Sequence, residues 1–169
     1  MAGSAGMFNQ VGDASRREFF GTISGDFWVP GLGGGKTAQI FNGSDNVQNL
    51  LPATYARYSI KEITVSCWVK TSAIGRIQYL FAKWGITNDS FLSYLDQTTG
   101  FPHWIISTNG AYQPGNELVG SVNCADGKWH LITTQYSTFL SSNNSKIWID
   151  GKLNAQMSFT GDIAYDATS

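Results

Sequence analysis

The chain reads as an all-β protein, its strands antiparallel and closed into a sandwich or barrel. Three observations predict this class. Residues 63–70, Ile-Thr-Val-Ser-Cys-Trp-Val-Lys, alternate side chains with the period of a half-buried strand. The pair Asp150-Gly151 sits between Lys-Ile-Trp-Ile and Lys-Leu-Asn-Ala, and both residues tolerate the positive φ of a tight hairpin. No segment carries a sustained helical period, and about ten short strand-like runs alternate with turn residues.

Taken in order, residues 1–18 are small, polar and mixed in charge, which predicts a loose or irregular arm. The remainder, 19–169, reads as one sandwich domain. Phe19, Phe20, Ile23, Phe27, Trp28 and Val29 supply apolar anchors, and residues 30–35, Pro-Gly-Leu-Gly-Gly-Gly, form a loop. Residues 37–41 are a strand, 42–45 turn it, and 46–51 continue it. Residues 52–58 fit either a loop or a single helical turn. In residues 63–70, Ile63, Val65, Cys67 and Val69 share one face, and Thr64, Ser66, Trp68 and Lys70 share the other. Strands follow at 78–84, 91–95 and 103–107, the last two joined by 96–100. Asn109-Gly110 is a turn, 111–128 is mostly loop with a short strand near 118–122, and 131–136 is a strand. The hairpin at 150–151 and a last apolar run at 157–159 complete the chain.

A length of 169 residues suits a single domain with a real core. With 42% hydrophobic and 14% charged residues the chain is globular rather than disordered. A net charge of −1 gives no basic footprint for nucleic acid, and no apolar run reaches the length of a membrane span. The N-terminus lacks a charged region followed by an apolar one, so it does not read as a secretion signal. Either the protein is used without that route or the chain is a piece of something longer. Cys67 and Cys124 could pair, but two small buried thiols is the favoured reading, since cysteine is commonly buried and no signal points to an oxidising compartment.

The order of motifs resembles the concanavalin A-like lectin/glucanase superfamily in its laminin-G-like, pentraxin-like branch. The residues that carry the resemblance are 35–45 (Gly-Lys-Thr-Ala-Gln-Ile-Phe-Asn-Gly-Ser-Asp), 63–70, and 80–84 (Leu-Phe-Ala-Lys-Trp). Residues 126–130 (Asp-Gly-Lys-Trp-His) and 146–152 (Lys-Ile-Trp-Ile-Asp-Gly-Lys) follow at similar spacing. The resemblance implies a two-sheet antiparallel jelly-roll sandwich with one concave sheet. It further implies frequent glycan binding, often with calcium at the rim, or service as a protein-binding or virion surface module. Family domains usually add two strands beyond the point equivalent to Ile163. Their lack here implies truncation, or an edge covered by the segment 1–34 or by another chain. Cys67 and Cys124 do not fall where the pentraxin-like pair sits, so that bridge does not carry over. No dense acidic loop matches the family's calcium residues.

The superfamily's glycoside hydrolases need two carboxylates flanking the scissile bond. Here Glu18, Glu62 and Glu117 are each isolated, so no enzyme is expected. Of the two histidines, His130 lines up with Ile132 and Thr134, which predicts a packed, hydrogen-bonded side chain. Trp68 and Trp148 fall on the polar faces of their strands. They are either stacking platforms for sugar rings or second-layer core, and the high average burial of Trp favours the core. Tyr112, Trp104 and Asn109 are further candidates for a carbohydrate surface. Asn42, Asp45, Asn46 and Asp89 offer oxygens at turns that could hold calcium, though such residues more often bond to their own turn backbone. Asn42, Asn88 and Asn143 begin glycosylation sequons, which matter only in a secreted eukaryotic chain.

The sequence therefore predicts a non-catalytic, lectin-like domain binding carbohydrate at a virion or extracellular surface. The alternative is a structural or assembly module whose sheet edge is completed by a neighbour, in a homo-oligomer or a larger assembly.

Overall fold

The computed structural model describes residues 10–12, 20–24, 27–33, 37–43, 46–48, 61–85 and 89–164. The chain divides into two compact units, Met1–Tyr55 and Ala56–Ser169. The first holds β1 (Gln10–Gly12), β2 (Phe20–Ser24), β3 (Phe27–Pro30), β4 (Thr37–Ile40) and β5 (Asn46–Gln48). They form two small antiparallel sheets, in the orders β1-β2-β5 and β3-β4. β1 lies within the stretch read as a loose or irregular arm. The segment 52–58 lies outside the described residues.

The second unit holds β6 (Glu62–Lys70), β7 (Gln78–Lys83), β8 (Phe91–Leu95), β9 (Pro102–Ile106) and β10 (Glu117–Val119). It continues with β11 (Trp129–Ser137), β12 (Ser145–Ile149) and β13 (Lys152–Met157). Two four-stranded antiparallel sheets result, β10-β9-β8-β7 and β13-β12-β11-β6. This is the two-sheet antiparallel sandwich the sequence predicts. Among the described residues the one helical turn is Pro114–Asn116, and no helix is long and apolar enough to cross a membrane.

Alternation decides which side chains face the core. Along β6, Ile63, Val65, Cys67 and Val69 are half-buried while Thr64, Ser66, Trp68 and Lys70 are exposed, the two faces expected. Along β11, His130, Ile132, Thr134 and Tyr136 point inward. The core joins Leu95, Trp104, Ile106 and Leu118 of one sheet to Ile132, Tyr136, Ile147 and Ile149 of the other. Each fully buried aliphatic side chain contributes about 1.5–3 kcal/mol relative to exposure.

Trp104 is central to this core and corrects an expectation. It has no exposed surface, so it offers no platform to a ligand. Its ring packs 5.9 Å from Phe81 and 6.1 Å from Phe91, and its indole N–H donates to the Gln135 carbonyl at 3.2 Å. The reason is register. In β9, Pro102, Trp104 and Ile106 pair with Leu95, Ser93 and Phe91 on the face toward the core, and His103 pairs with Tyr94 on the other.

The hairpin at 150–151 forms as predicted. Asp150 and Gly151 have φ of 52° and 78°, the two positive values that a tight hairpin matching strand twist requires. After β13, Phe159 and Ile163 return to the core. Asn144 holds this segment by a two-way clamp, donating to the Phe159 carbonyl at 2.9 Å and accepting from the Phe159 N–H at 2.8 Å. Both cysteines are free thiols. Burial pushes Cys67 up to about 11 and Cys124 up to about 12, so neither is a reactive thiolate at neutral pH.

Candidate functional site

The outward face of the β10-β9-β8-β7 sheet gathers side chains that lie far apart in sequence. Strand pairing sets Tyr79 opposite Tyr94, Tyr94 opposite His103, and His103 opposite Val119. Glu117 pairs with Ile105, two residues along the strand from His103, so its side chain falls on the same face. Tyr112 reaches in from the loop ahead of the Pro114–Asn116 turn.

These residues converge on the Glu117 carboxylate. Its Oε1 accepts from the Tyr94 hydroxyl at 2.7 Å and from His103 Nδ1–H at 2.6 Å. Its Oε2 accepts from the Tyr112 hydroxyl. A carboxylate only accepts, so the His103 proton sits on Nδ1. The Tyr94 ring stacks on the His103 ring at 4.5 Å, and Tyr79 meets Tyr94 edge-on at 6.3 Å.

The electrostatics follow from these bonds. Burial disfavours charge on Glu117, but hydrogen bonds from Tyr112, His103 and Tyr94 outweigh it and hold its carboxyl below the usual carboxylate range. Burial, then the bond to Glu117, pushes the Tyr94 phenol up; for Tyr112 the bond to Glu117 comes first. The cluster is therefore one carboxylate ringed by two phenol hydroxyls and an imidazole N–H. Around it the surface is aromatic. Tyr79 is 67% exposed and Tyr112 is 49% exposed, whereas Glu117 keeps only 16% of its side chain open. Flat rings beside a fixed acceptor suit a ligand that has both apolar C–H faces and hydroxyl donors.

The other sheet's outward face carries Trp68 and Trp148. Trp68 lies opposite Leu131, and Trp148 lies opposite Thr133 and Leu153. Trp68 is half exposed and Trp148 is partly buried. The Ser66 and Thr133 hydroxyls between them bond to each other at 2.8 Å. Of the carbohydrate candidates, then, Trp68 and Trp148 share one face, and Tyr112 belongs to the Glu117 cluster. Asn109 is exposed in the loop after β9, where its Oδ1 accepts from Ala111 N–H at 3.0 Å.

Among the calcium candidates, Asn42 is exposed beyond β4, Asp45 lies outside the described residues, and Asn46 begins β5. Asp89 is buried and accepts from Gly85 N–H at 3.2 Å, the turn-backbone use of such residues. Among the described residues no three His, Cys, Asp or Glu side chains are grouped to hold a metal ion. A second polar cluster, Asp126, His130 and Asp150, lies at one end of β11. His130 is buried and bonded at both ring nitrogens, as its inward parity predicts.

Tyr79, Tyr94, His103 and Glu117 were not legible as a site. The one available signal was the hairpin of 91–95 with its partner strand. Centring it on the turn after Asp96 places Tyr94 opposite His103.

Two antiparallel sheets around one core, with an aromatic and carboxylate cluster on an outer face, define a two-sheet antiparallel β-sandwich. A family model described as the concanavalin A-like lectin/glucanases superfamily, laminin-G type, matches residues 41–169. The chain belongs to that superfamily. The search of curated proteins returned no match.

Proposed function

We propose that this chain is a non-catalytic, lectin-like module that binds carbohydrate through the outward face carrying Tyr79, Tyr94, His103, Tyr112 and Glu117. One observation carries the reading: a carboxylate pre-oriented by three aromatic donors, beside the largely open ring of Tyr79. Pre-orientation lowers the ordering cost of binding, and rings with few rotatable bonds add contact area at little further cost.

The test is a glycan array probed with the full chain, with and without calcium. Binding to neutral glycans that is lost in a Tyr79→Ala, Tyr112→Ala double variant of unchanged melting temperature supports the reading. No binding in either condition overturns it. A calcium-dependent signal would show that a bound cation takes part in recognition.

A second reading, an assembly module, is favoured by the other sheet. Trp68 is half exposed there, and the edge strand β13 shows Leu153 and Met157 to solvent. Unpaired edge strands invite pairing with another chain. Sedimentation at several concentrations separates the readings, because a module of this kind self-associates through β13 and a lectin monomer does not.

A further inference from the structure

We infer that the Glu117 face selects sugars by charge, accepting neutral and amine-bearing glycans and rejecting sulfated or carboxylated ones. The inference rests on the glycan reading above and adds the substrate class.

Three features of the face carry it. First, the cluster is built around a carboxylate, and its donors are two phenol hydroxyls and one ring N–H, with no Lys or Arg among them. A site built for acidic sugars supplies Arg or Lys in the planar or point-charge geometries that recognise anions. Second, no outward position on the four strands is Lys or Arg. The lysine of β7, Lys83, pairs with Phe91 and is turned toward the inner face. Third, the adjacent turn adds a second anion rather than a cation. Asp96 follows β8, and the backbone N–H of Thr99, its hydroxyl and the Thr98 N–H bind its Oδ1, holding its carboxyl down at about 2. Two ionised carboxylates therefore border an aromatic surface.

An incoming sulfate or carboxylate meets like charge at Glu117 and Asp96, and no Lys or Arg from the outward positions of the four strands. An incoming ammonium meets Glu117 and the faces of Tyr79 and Tyr112, which attract cations through their ring quadrupoles. His103 leaves Nε2 without a protein partner among the described residues, so a hydroxyl can also be read by that nitrogen.

The test uses three oligomers of equal length on one β-1,4-linked glucosamine backbone, carrying free amines, N-acetyl groups or N-sulfate groups. The full chain is titrated with each at low and high salt, at a pH where the amines are protonated. The free-amine oligomer is expected to bind about tenfold tighter than the N-acetyl one at low salt, as one close charge pair permits, and the ratio should shrink as salt rises. The N-sulfated oligomer should not bind. In Glu117→Gln the amine-to-acetyl ratio should fall toward one. Val119→Lys, an exposed change opposite His103 that leaves the cluster's bonds in place, should admit the N-sulfated oligomer. Binding of the N-sulfated oligomer by the unmodified chain overturns the charge rule and leaves the glycan reading intact. So does an amine-to-acetyl ratio that is near one or indifferent to Glu117→Gln. No binding of any oligomer, with an empty neutral array, overturns the charge rule and the glycan reading together.

Discussion

The Asp150 carboxylate ties its own hairpin turn to His130 on the neighbouring strand, with Oδ2 2.9 Å from Nδ1. Its other oxygen accepts from the Leu131 N–H at 2.8 Å. On the far side of the ring, Nε2 lies 3.0 Å from Asp126 Oδ1. Both ring nitrogens face acceptors, so the arrangement is satisfied fully only by the imidazolium. Burial opposes that charge, but the bonds to Asp150 and Asp126 outweigh it and raise the pKa of His130. Both carboxyls lie below their ordinary values.

The pH dependence follows. His130 titrates higher in the folded chain than unfolded, so its contribution is fully present below about pH 6.5 and is lost as pH rises through the folded value. The two aspartates titrate lower when folded. Their contribution is present above their unfolded values, near pH 4, and fades as acid protonates them. Melting temperature should therefore peak between these limits and decline toward alkaline pH. His130→Gln should lower stability by about 1–3 kcal/mol at pH 6, the scale of a charged hydrogen bond, with solvent screening of the aspartates pulling toward the low end. It should also flatten the slope above neutrality. An unaltered alkaline slope in that variant would place the titration elsewhere.

Trp104 bolts the two sheets together, and this makes a different prediction. Trp104→Ala should cost about 3–5 kcal/mol, as large-to-small core changes do, and the chain should melt early or fail to accumulate. Trp104→Phe keeps most of the packing against Phe81 and Phe91 and loses the bond to Gln135. It should remain folded and bind glycan as the parent does. Reduced affinity in a folded Trp104→Phe protein would contradict its placement in the core.

Gly120 sits where β10 approaches β13. A Cβ there would stand 2.7 Å from Asn154 Oδ1 and 2.8 Å from Pro102 Cγ. Neither neighbour is free to give. Pro102 is buried, and Asn154 uses that oxygen to accept from Ser121 N–H at 2.9 Å. Asn154 is also the extra residue of a bulge, because Trp148 pairs with Leu153 and Ile147 with Ala155. The bulge thus turns a side chain toward the neighbouring sheet. Gly120→Ala should cost about 1–3 kcal/mol, typical of overpacking, and Asn154→Ala about 1 kcal/mol. A double-mutant cycle by chemical denaturation should show the two effects to be non-additive. Simple additivity would mean that they do not share this contact.

How much of this was legible before the structure depended on distance along the chain. Local signals were reliable. The period of residues 63–70 assigned both faces of β6, and Asp-Gly fixed the hairpin, because both are decided by side-chain alternation and backbone sterics within a few residues. His130 was placed inward by the same alternation. The Glu117 cluster was not readable, since its five members come from four strands and a loop, and only register brings them together. Trp104 failed for a related reason. In Pro-His-Trp-Ile-Ile every residue but one is apolar, so alternation gives no parity. Pairing of Trp104 with Ser93 and Leu118, on the face packed against the other sheet, then decides that Trp faces the core.

The two outward faces make competing claims on the ligand, and substitutions can separate them. Trp68 is half exposed, and its nearest paired neighbour is Leu131, so removing the ring exposes little core. Trp68→Ala should cost no more than about 1 kcal/mol, because much of its surface is already hydrated. If glycan binds at Glu117, this variant keeps the parent affinity, while Tyr79→Ala loses a stacking surface and should weaken binding about five- to tenfold. The ratio of the two affinities, measured by calorimetry on one glycan, is the quantity to compare. Weakened binding in Trp68→Ala with Tyr79→Ala unaffected would move the site to the β13-β12-β11-β6 sheet. There Trp68 and Trp148 flank the Ser66–Thr133 hydroxyl pair. In that event Glu117 would be a structural carboxylate that fixes Tyr112 and the loop before β10. Glu117→Gln would then lower melting temperature without touching affinity.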